Sequence, residues 1–202
     1  MSEIYQVFSR YDQQACQGEL NFRFCPNCAN PLELTLYDGR VRPVCPACGF
    51  IQFINPAPAV AILVVRGDQV LLGKRSGSPD TGKWATPSGY IEFDEDFLSA
   101  AIREVKEETG LEVEIRAILN VASSFISPKY HFFSVYLLAH VIRGELAERS
   151  DLVELRWYPL GQPMPELAFK EDEMMIARYS QGLTTGLPVD PRYARLSNVK
   201  SN

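Results

Sequence analysis

No apolar run in this chain approaches the ~18 residues that a helix needs to span a bilayer, so no membrane segment is expected. The opening stretch, MSEIYQVFSRYDQQ, lacks the basic start and following apolar stretch of a secretory leader, and a cytoplasmic, reducing setting is the expectation. An excess of positive charge is also missing. Lys and Arg number 20 against 25 Asp and Glu, and the resulting net charge of −5 argues against broad, charge-driven binding to nucleic acid while leaving room for a local site. No internal repeat is visible, and 202 residues suffice for one well-packed domain with an attachment.

What the chain does have is cysteine in pairs. Of its 5 cysteines, four form Cys25-Pro-Asn-Cys28 and Cys45-Pro-Ala-Cys48, two CxxC pairs 16 residues apart. Each pair supplies two thiolates from a tight turn, and four thiolates complete a closed tetrahedral Zn²⁺ site with no open position for substrate, hence a structural one. Disulfides and a redox CxxC are the alternatives, and the reducing setting and the matched pairs favour zinc. Between the pairs, Leu32, Leu34 and Leu36 alternate before Asp38-Gly39, a hairpin-turn signal, and Val41 and Val44 follow. Cys16 has no partner residues nearby and reads as a plain thiol.

The chain divides accordingly into an N-terminal extension (1–20), a zinc ribbon (21–55), a main domain (56–185) entered through Asn55-Pro56-Ala57-Pro58, and a polar, aperiodic tail (186–202) expected to be flexible. The apolar run Ala59 to Val65, the Gly67-Asp68 turn and Val70 to Leu72 read as two buried or half-buried strands. Tyr130 to Ile142 and Val153 to Tyr158 read as further strands, and Glu171 to Gln181 as a helix ended by Gly182. Strands and helices in this order imply an α/β fold, a mixed sheet between helices in an α/β/α sandwich.

The most informative segment is Gly89 to Leu111, GYIEFDEDFLSAAIREVKEETGL. On a helix, Glu104, Glu107 and Glu108 share one face by the i, i+3, i+4 relation, while Leu98, Ala101, Ile102, Val105 and Thr109 occupy another arc. Asp96 is a candidate N-cap and Gly110 a candidate C-cap. Like charges at this spacing repel by about 0.2–0.5 kcal/mol per pair, so three invite a cation, and oxygen ligands favour Mg²⁺ or Mn²⁺. The EVKEE string alone fits a solvated acidic face equally well.

The wider frame resembles a known family. Gly89, Glu95, Arg103-Glu104-Val105, Glu107-Glu108 and Gly110-Leu111 match at nine positions over 23 residues the box of the Nudix hydrolases. The approach through Gly73-Lys74-Arg75 and Gly82 to Gly89 is similar to the family's as well, although Ser88 stands where the family often has glycine. The resemblance implies a loop–helix–loop in which Glu104, Glu107 and Glu108 hold metal, assisted by the Ser88 backbone carbonyl, with Glu95 and Arg103 orienting them. It implies further that a later loop acid, Asp151 or Glu154, serves as general base, Asp151 standing at the family's late metal-ligand or base position. A zinc ribbon ahead of this domain resembles the NADH pyrophosphatases and the related ADP-ribose and FAD pyrophosphatases. The SQPWPFPxS signature of the first is absent from Val121 to Lys129, VASSFISPK, which with Leu167-Ala168-Phe169 points to the second group.

The expected activity is therefore Mg²⁺-dependent cleavage of the diphosphate in a nucleoside diphosphate derivative, ADP-ribose or FAD, with release of AMP. NADH and the NAD cap of RNA are the alternative substrates, and a catalytically idle, nucleotide-binding regulatory domain is the non-enzyme alternative. Arg75, Phe125, Lys129 and Tyr130, with Lys74, His131 and Phe132 nearby, are candidates for holding the substrate. The resemblance also suggests a homodimer.

Overall fold

The computed structural model describes residues 7–9, 22–78, 80–127, 130–147 and 152–195, with only the backbone described at 7–9, 127 and 130. In chain order the elements are β1 (Val7–Ser9), β2 (Glu33–Tyr37), β3 (Arg40–Val44), β4 (Ala57–Arg66), β5 (Gln69–Arg75), β6 (Trp84–Ala85) and β7 (Ser88–Tyr90), then α1 (Phe97–Thr109), β8 (Glu112–Ser127), β9 (Tyr130–Arg143), β10 (Leu152–Pro159), α2 (Lys170–Ser180) and β11 (Leu187–Pro188).

A mixed sheet carries the main domain. Its order is β1-β8-β9-β4-β5-β10, with β11 on β8, β6 on β5 and β7 on β4. The β4–β9 pair is parallel, whereas β4–β5, β5–β10 and β8–β9 are antiparallel. β4 is apolar along its length because both of its faces are covered. Val60, Ile62 and Val64 meet Ala101, Ile102 and Val105 of α1, while Leu63 and Val65 share the opposite layer with Ile176 of α2 and Trp84. The α/β/α sandwich expected from the sequence is the observed architecture. No helix of the described residues is long and apolar enough to cross a membrane.

The ribbon is a two-stranded hairpin, β2–β3, carrying two knuckles. Asp38 and Gly39 both take positive φ, 47° and 74°, the turn that suits the twist of tightly paired strands. The knuckles repeat one another. Cys25 N–H donates to Asn30 and Ala29 N–H to Cys25, and likewise Cys45 N–H to Phe50 and Gly49 N–H to Cys45. Each knuckle turns left-handed one residue past its second cysteine, at Ala29 (φ 59°) and Gly49 (φ 75°). The thiols converge: Cys25–Cys48 and Cys28–Cys48 are 3.5 Å apart and Cys28–Cys45 3.4 Å.

Two segments differ from the sequence expectation. β8 was not marked by periodicity, because bulges near Val113, Ala117, Asn120 and Ser127 reset its alternation of inward and outward residues. The segment from 186, expected to be a flexible tail, is docked as far as Arg195. β11 pairs with Ala117 and Ile118, Ile115 N–H donates to Ala194, and Arg195 pairs with Glu114 at 3.1 Å. That attachment is mostly backbone hydrogen bonding, which leaves no periodic mark on side chains. Of the 1–20 extension, Val7–Ser9 forms a parallel edge on β8 at Ala122–Ser124, and Cys16 lies outside the described residues.

Candidate active site

α1 is capped at both ends, which fixes where its carboxylates stand. Asp96 accepts from the N–H groups of Leu98 (2.9 Å) and Ser99 (3.0 Å), and Gly110 closes the helix at φ 76° with its N–H on Lys106. Ala101, Ile102 and Val105 bury against the sheet, leaving Glu104, Glu107 and Glu108 along the other arc.

Arg103 lies at the centre of the acids. It grips Glu95 with two bonds, Nη2–Oε1 at 2.5 Å and Nε–Oε2 at 3.0 Å, and its Nη1 reaches Glu104 (2.7 Å) and Glu107 (3.1 Å). A further bond from Nη2 to the Tyr90 carbonyl, 3.0 Å, ties the guanidinium to β7. The Arg103 contact holds the Glu95 carboxyl below its usual range, whereas burial pushes the Glu104 carboxyl up despite the same arginine.

The turn ahead of the helix meets it closely. Ile62 N–H reaches the Pro87 carbonyl (2.8 Å) and Ile91 N–H the Pro58 carbonyl (3.2 Å), so the ladder's alternation turns both polar groups of Ser88 away from β4. Ser88 N–H accordingly donates to Glu108 Oε2 at 3.1 Å. A Cβ placed on Gly89 would collide with the Glu104 carboxylate.

These groups form one wall of a cavity of about 320 Å³, within the size range of small-molecule sites. Glu104, Glu108, Ser88 and Gly89 line it together with Arg75, Phe169, Tyr136 and Asp172. Arg75 lies over the Phe169 ring at 5.0 Å, which keeps its charge at the cavity wall. Carboxylates lining the same cavity as an arginine suit a hard divalent cation that carries a phosphate. Among the described residues the four cysteine thiols, all within 4.8 Å of one another, are the group compact enough to enclose an ion unaided; the helix carboxylates are spread around Arg103. A hydrogen bond from Asn30 lowers the Cys28 thiol, the direction that favours a thiolate ligand, while Cys48 in the same cluster is raised.

A NUDIX domain profile matches residues 55–179, and a Nudix N-terminal profile matches residues 23–53. The chain belongs to the NUDIX family. Within that family it is an enzyme, a Nudix pyrophosphohydrolase. It is 35% identical to the ADP-ribose pyrophosphatase of Methanocaldococcus jannaschii over 61% of this chain and 73% of that protein. It is 31% identical to the NAD-capped RNA hydrolase NudC of Pseudomonas aeruginosa over 82% of this chain, and spans 60% of that relative's length. A crystal structure of a NUDIX hydrolase from Nitrosomonas europaea superposes with a TM-score of 0.72 at 29% identity, covering 79% of this chain and 91% of that one.

The remaining sequence candidates of this Nudix domain fall in several places. Glu107 is largely exposed beside Arg103 and does not line the cavity. Glu154 stands on β10 in ion pairs with Arg156 (2.6 Å) and Lys74 (3.6 Å), also off the cavity wall. Phe125 stacks on His131 at 3.8 Å, while its neighbours Ser124 and Ile126 and, across the ladder, Phe132 and Ser134 line the cavity. Strand alternation accounts for this, since adjacent residues face opposite sides. Asp151 and Lys129 lie outside the described residues, as does the side chain of Tyr130.

Asp172 was not anticipated. It sits in the acidic first turn of α2, where such residues ordinarily serve the helix dipole, so the sequence alone does not mark it as buried. Its carboxylate accepts from Thr86 N–H (2.9 Å), Thr86 Oγ1 (3.1 Å) and Tyr136 OH (3.0 Å). Burial pushes its carboxyl up to about 6 in spite of those bonds. The folded Nudix protein thus holds this proton more tightly than the unfolded chain does. The group's contribution to stability is complete below the ordinary Asp value and is lost as pH rises through about 6. Asp172→Asn removes the charge and keeps the hydrogen-bonding shape, because both hydroxyls can turn to accept. The variant is expected to gain on the parent between roughly pH 4 and 6 and to stay ahead above that, by roughly 3 kcal/mol at most. Parallel thermal melts across that range check this, and identical pH trends in the two proteins would refute it.

Proposed function

We propose that this Nudix enzyme hydrolyses the diphosphate linkage of a nucleoside diphosphate derivative, ADP-ribose or FAD in preference, in a Mg²⁺-dependent reaction that releases AMP. The observation that carries the reading is the cavity itself, lined by Glu104 and Glu108 and by the Arg75–Phe169 pair. A diphosphate brought against bare carboxylates is repelled. A divalent cation such as Mg²⁺ would supply the charge neutralisation and the water activation that hydrolysis of a diphosphate needs.

The protein's own groups do the rest. Glu104 and Glu108 would hold the ion with the Ser88 carbonyl, and Glu107 would serve as an outer, water-holding carboxylate. Arg103 fixes Glu104 and Glu107 in place and offsets their mutual repulsion. Arg75 meets phosphate oxygens across the cavity, and the aromatic edge of Phe169 beside it borders the nucleoside. Glu154 is engaged by Arg156 and Lys74, so Asp151 is the better candidate for proton acceptor. The four cysteines hold Zn²⁺ as a structural ion: Zn–S bonds of about 2.3 Å imply sulfur–sulfur edges of roughly 3.8 Å, near the separations in the cluster.

A second reading, with NADH or the NAD cap of RNA as substrate, draws on the similarity to the Pseudomonas aeruginosa NudC. One assay separates the readings. The protein is incubated with Mg²⁺ and, separately, ADP-ribose, FAD, NADH, NAD-capped RNA and deoxynucleoside triphosphates, and release of AMP, NMN or pyrophosphate is followed. The leading reading expects ADP-ribose or FAD to show the highest kcat/KM. Faster turnover of NADH or capped RNA supports the second, and turnover of triphosphates alone defeats both.

A further inference from the structure

The turn from Thr86 to Gly89 makes a different contact at each residue. Pro87 C=O is held by β4, Ser88 N–H by Glu108 of α1, and Gly89 lies against Glu104 of the same helix. Thr86 alone is held from the opposite layer of the sandwich, by both oxygens of Asp172. Thr86 is 2% exposed and Asp172 1%, so no water competes for these bonds, and Tyr136, 4% exposed, closes the third side of the carboxylate from β9. The segment before α2 is stitched to the same place, with Trp84 N–H on Glu166 and Ala168 N–H on the Trp84 carbonyl. A backbone carbonyl has no rotamer of its own. Where the Ser88 oxygen points is decided by what fixes the peptides on either side; on the N-terminal side the Pro87 carbonyl is held by Ile62 of β4, and the residue before it, Thr86, is held by Asp172.

We infer that Asp172 is a positioning residue for the metal site: through Thr86 it orients the Ser88 carbonyl and the Ser88 N–H that aims Glu108. Tyr136 is its auxiliary, steadying the carboxylate from β9. The inference rests on the reading of Glu104, Glu108 and Ser88 as a divalent-cation site, and not on which nucleotide is cleaved.

Mn²⁺ binding followed by electron paramagnetic resonance without substrate tests it directly. Asp172→Ala, which removes the acceptor of Thr86 N–H, is expected to weaken Mn²⁺ binding roughly tenfold, the lower end of the range for outer-shell partners of metal ligands. Asp172→Asn, which keeps an acceptor toward Thr86 N–H, is expected to bind Mn²⁺ within about twofold of the parent. In a turnover assay, Asp172→Ala raises the Mg²⁺ concentration for half-maximal rate while KM at saturating Mg²⁺ stays within about twofold, a split that general loosening of the fold does not produce. Equal Mn²⁺ affinity in parent and Asp172→Ala overturns the inference, and so does equal weakening in the Ala and Asn variants. Should Asp172→Ala fail to fold, Thr86→Val decides, with about threefold weaker Mn²⁺ binding expected and no change counting against it. A parent that binds Mn²⁺ but cleaves none of the substrates removes the proposed function and leaves this inference standing; a parent that binds no Mn²⁺ removes both.

Discussion

Replacing Gly89 with alanine is expected to lower kcat/KM by roughly 10²-fold, with little change in thermal stability, even though it adds a single methyl group. That methyl would collide with the Glu104 carboxylate. Arg103 and Tyr90 hold the strand side of the contact, and the Asp96 and Gly110 caps hold the helix, so the displacement falls on the Glu104 side chain. A shift of about 1 Å at a ligand is enough for a loss of that size. Glu104→Gln keeps the shape and removes the charge, and it is expected to lose several kcal/mol of transition-state stabilisation, roughly 10³-fold in rate. Steady-state kinetics on the preferred substrate, with circular dichroism to confirm folding, checks both. An active Glu104→Gln enzyme would exclude Glu104 as a metal ligand, and a fully active Gly89→Ala enzyme would mean that Glu104 does not need the position it occupies here.

Removing zinc is expected to unfold residues 22–53 as a unit. Between those limits the buried residues are Cys25, Pro43, Cys45 and Gln52, and β2 is exposed from end to end, with Leu34 at 60% and Leu36 at 73%. So small an apolar interior cannot by itself offset the entropy of ordering the ribbon. Structural zinc in small modules of this kind contributes roughly 10–16 kcal/mol at neutral pH, and at the proposed four-cysteine site that binding energy would be the folding energy of the ribbon. Cys45→Ser, or a strong chelator, should therefore expose the ribbon to proteases while β4 to α2 remains protected. Limited proteolysis with mass mapping reads this, and a ribbon that stays resistant without metal would show that the hairpin holds by other means.

The sequence was most legible where one element carries its own signal. Asp96 and Gly110 mark the ends of α1, Asp38-Gly39 marks a left-handed turn, and β4 is apolar at successive positions because both faces are covered. It was least legible where structure depends on distant partners. The bulges of β8 erase its period, the attachment of residues 187–195 is mostly through backbone atoms, and Asp172 looks like any acid in the first turn of a helix. The Thr86–Asp172 bond joins residues 86 positions apart, a distance over which no local pattern reaches. The placement of Phe125 is a related case. Its neighbourhood was identified from the chain, but which of two adjacent residues enters the cavity depends on the register of the β8–β9 ladder.

β4 also determines which changes of chain length the protein can absorb. Its even-numbered residues, Val60, Ile62 and Val64, belong to one layer, and Leu63 and Val65 to the other. Losing one residue would exchange the two sets, and because both consist of similar aliphatics the interior would refill with modest change in volume. The rung from Ile62 N–H to Pro87 would pass to the neighbouring residue, because side-chain face and N–H direction alternate together and the residue that fills that site turns its N–H to the same edge. A one-residue slip of this strand should thus leave both the layers and the support of the Pro87 carbonyl in place, and its cost should fall on the turns at the strand's ends.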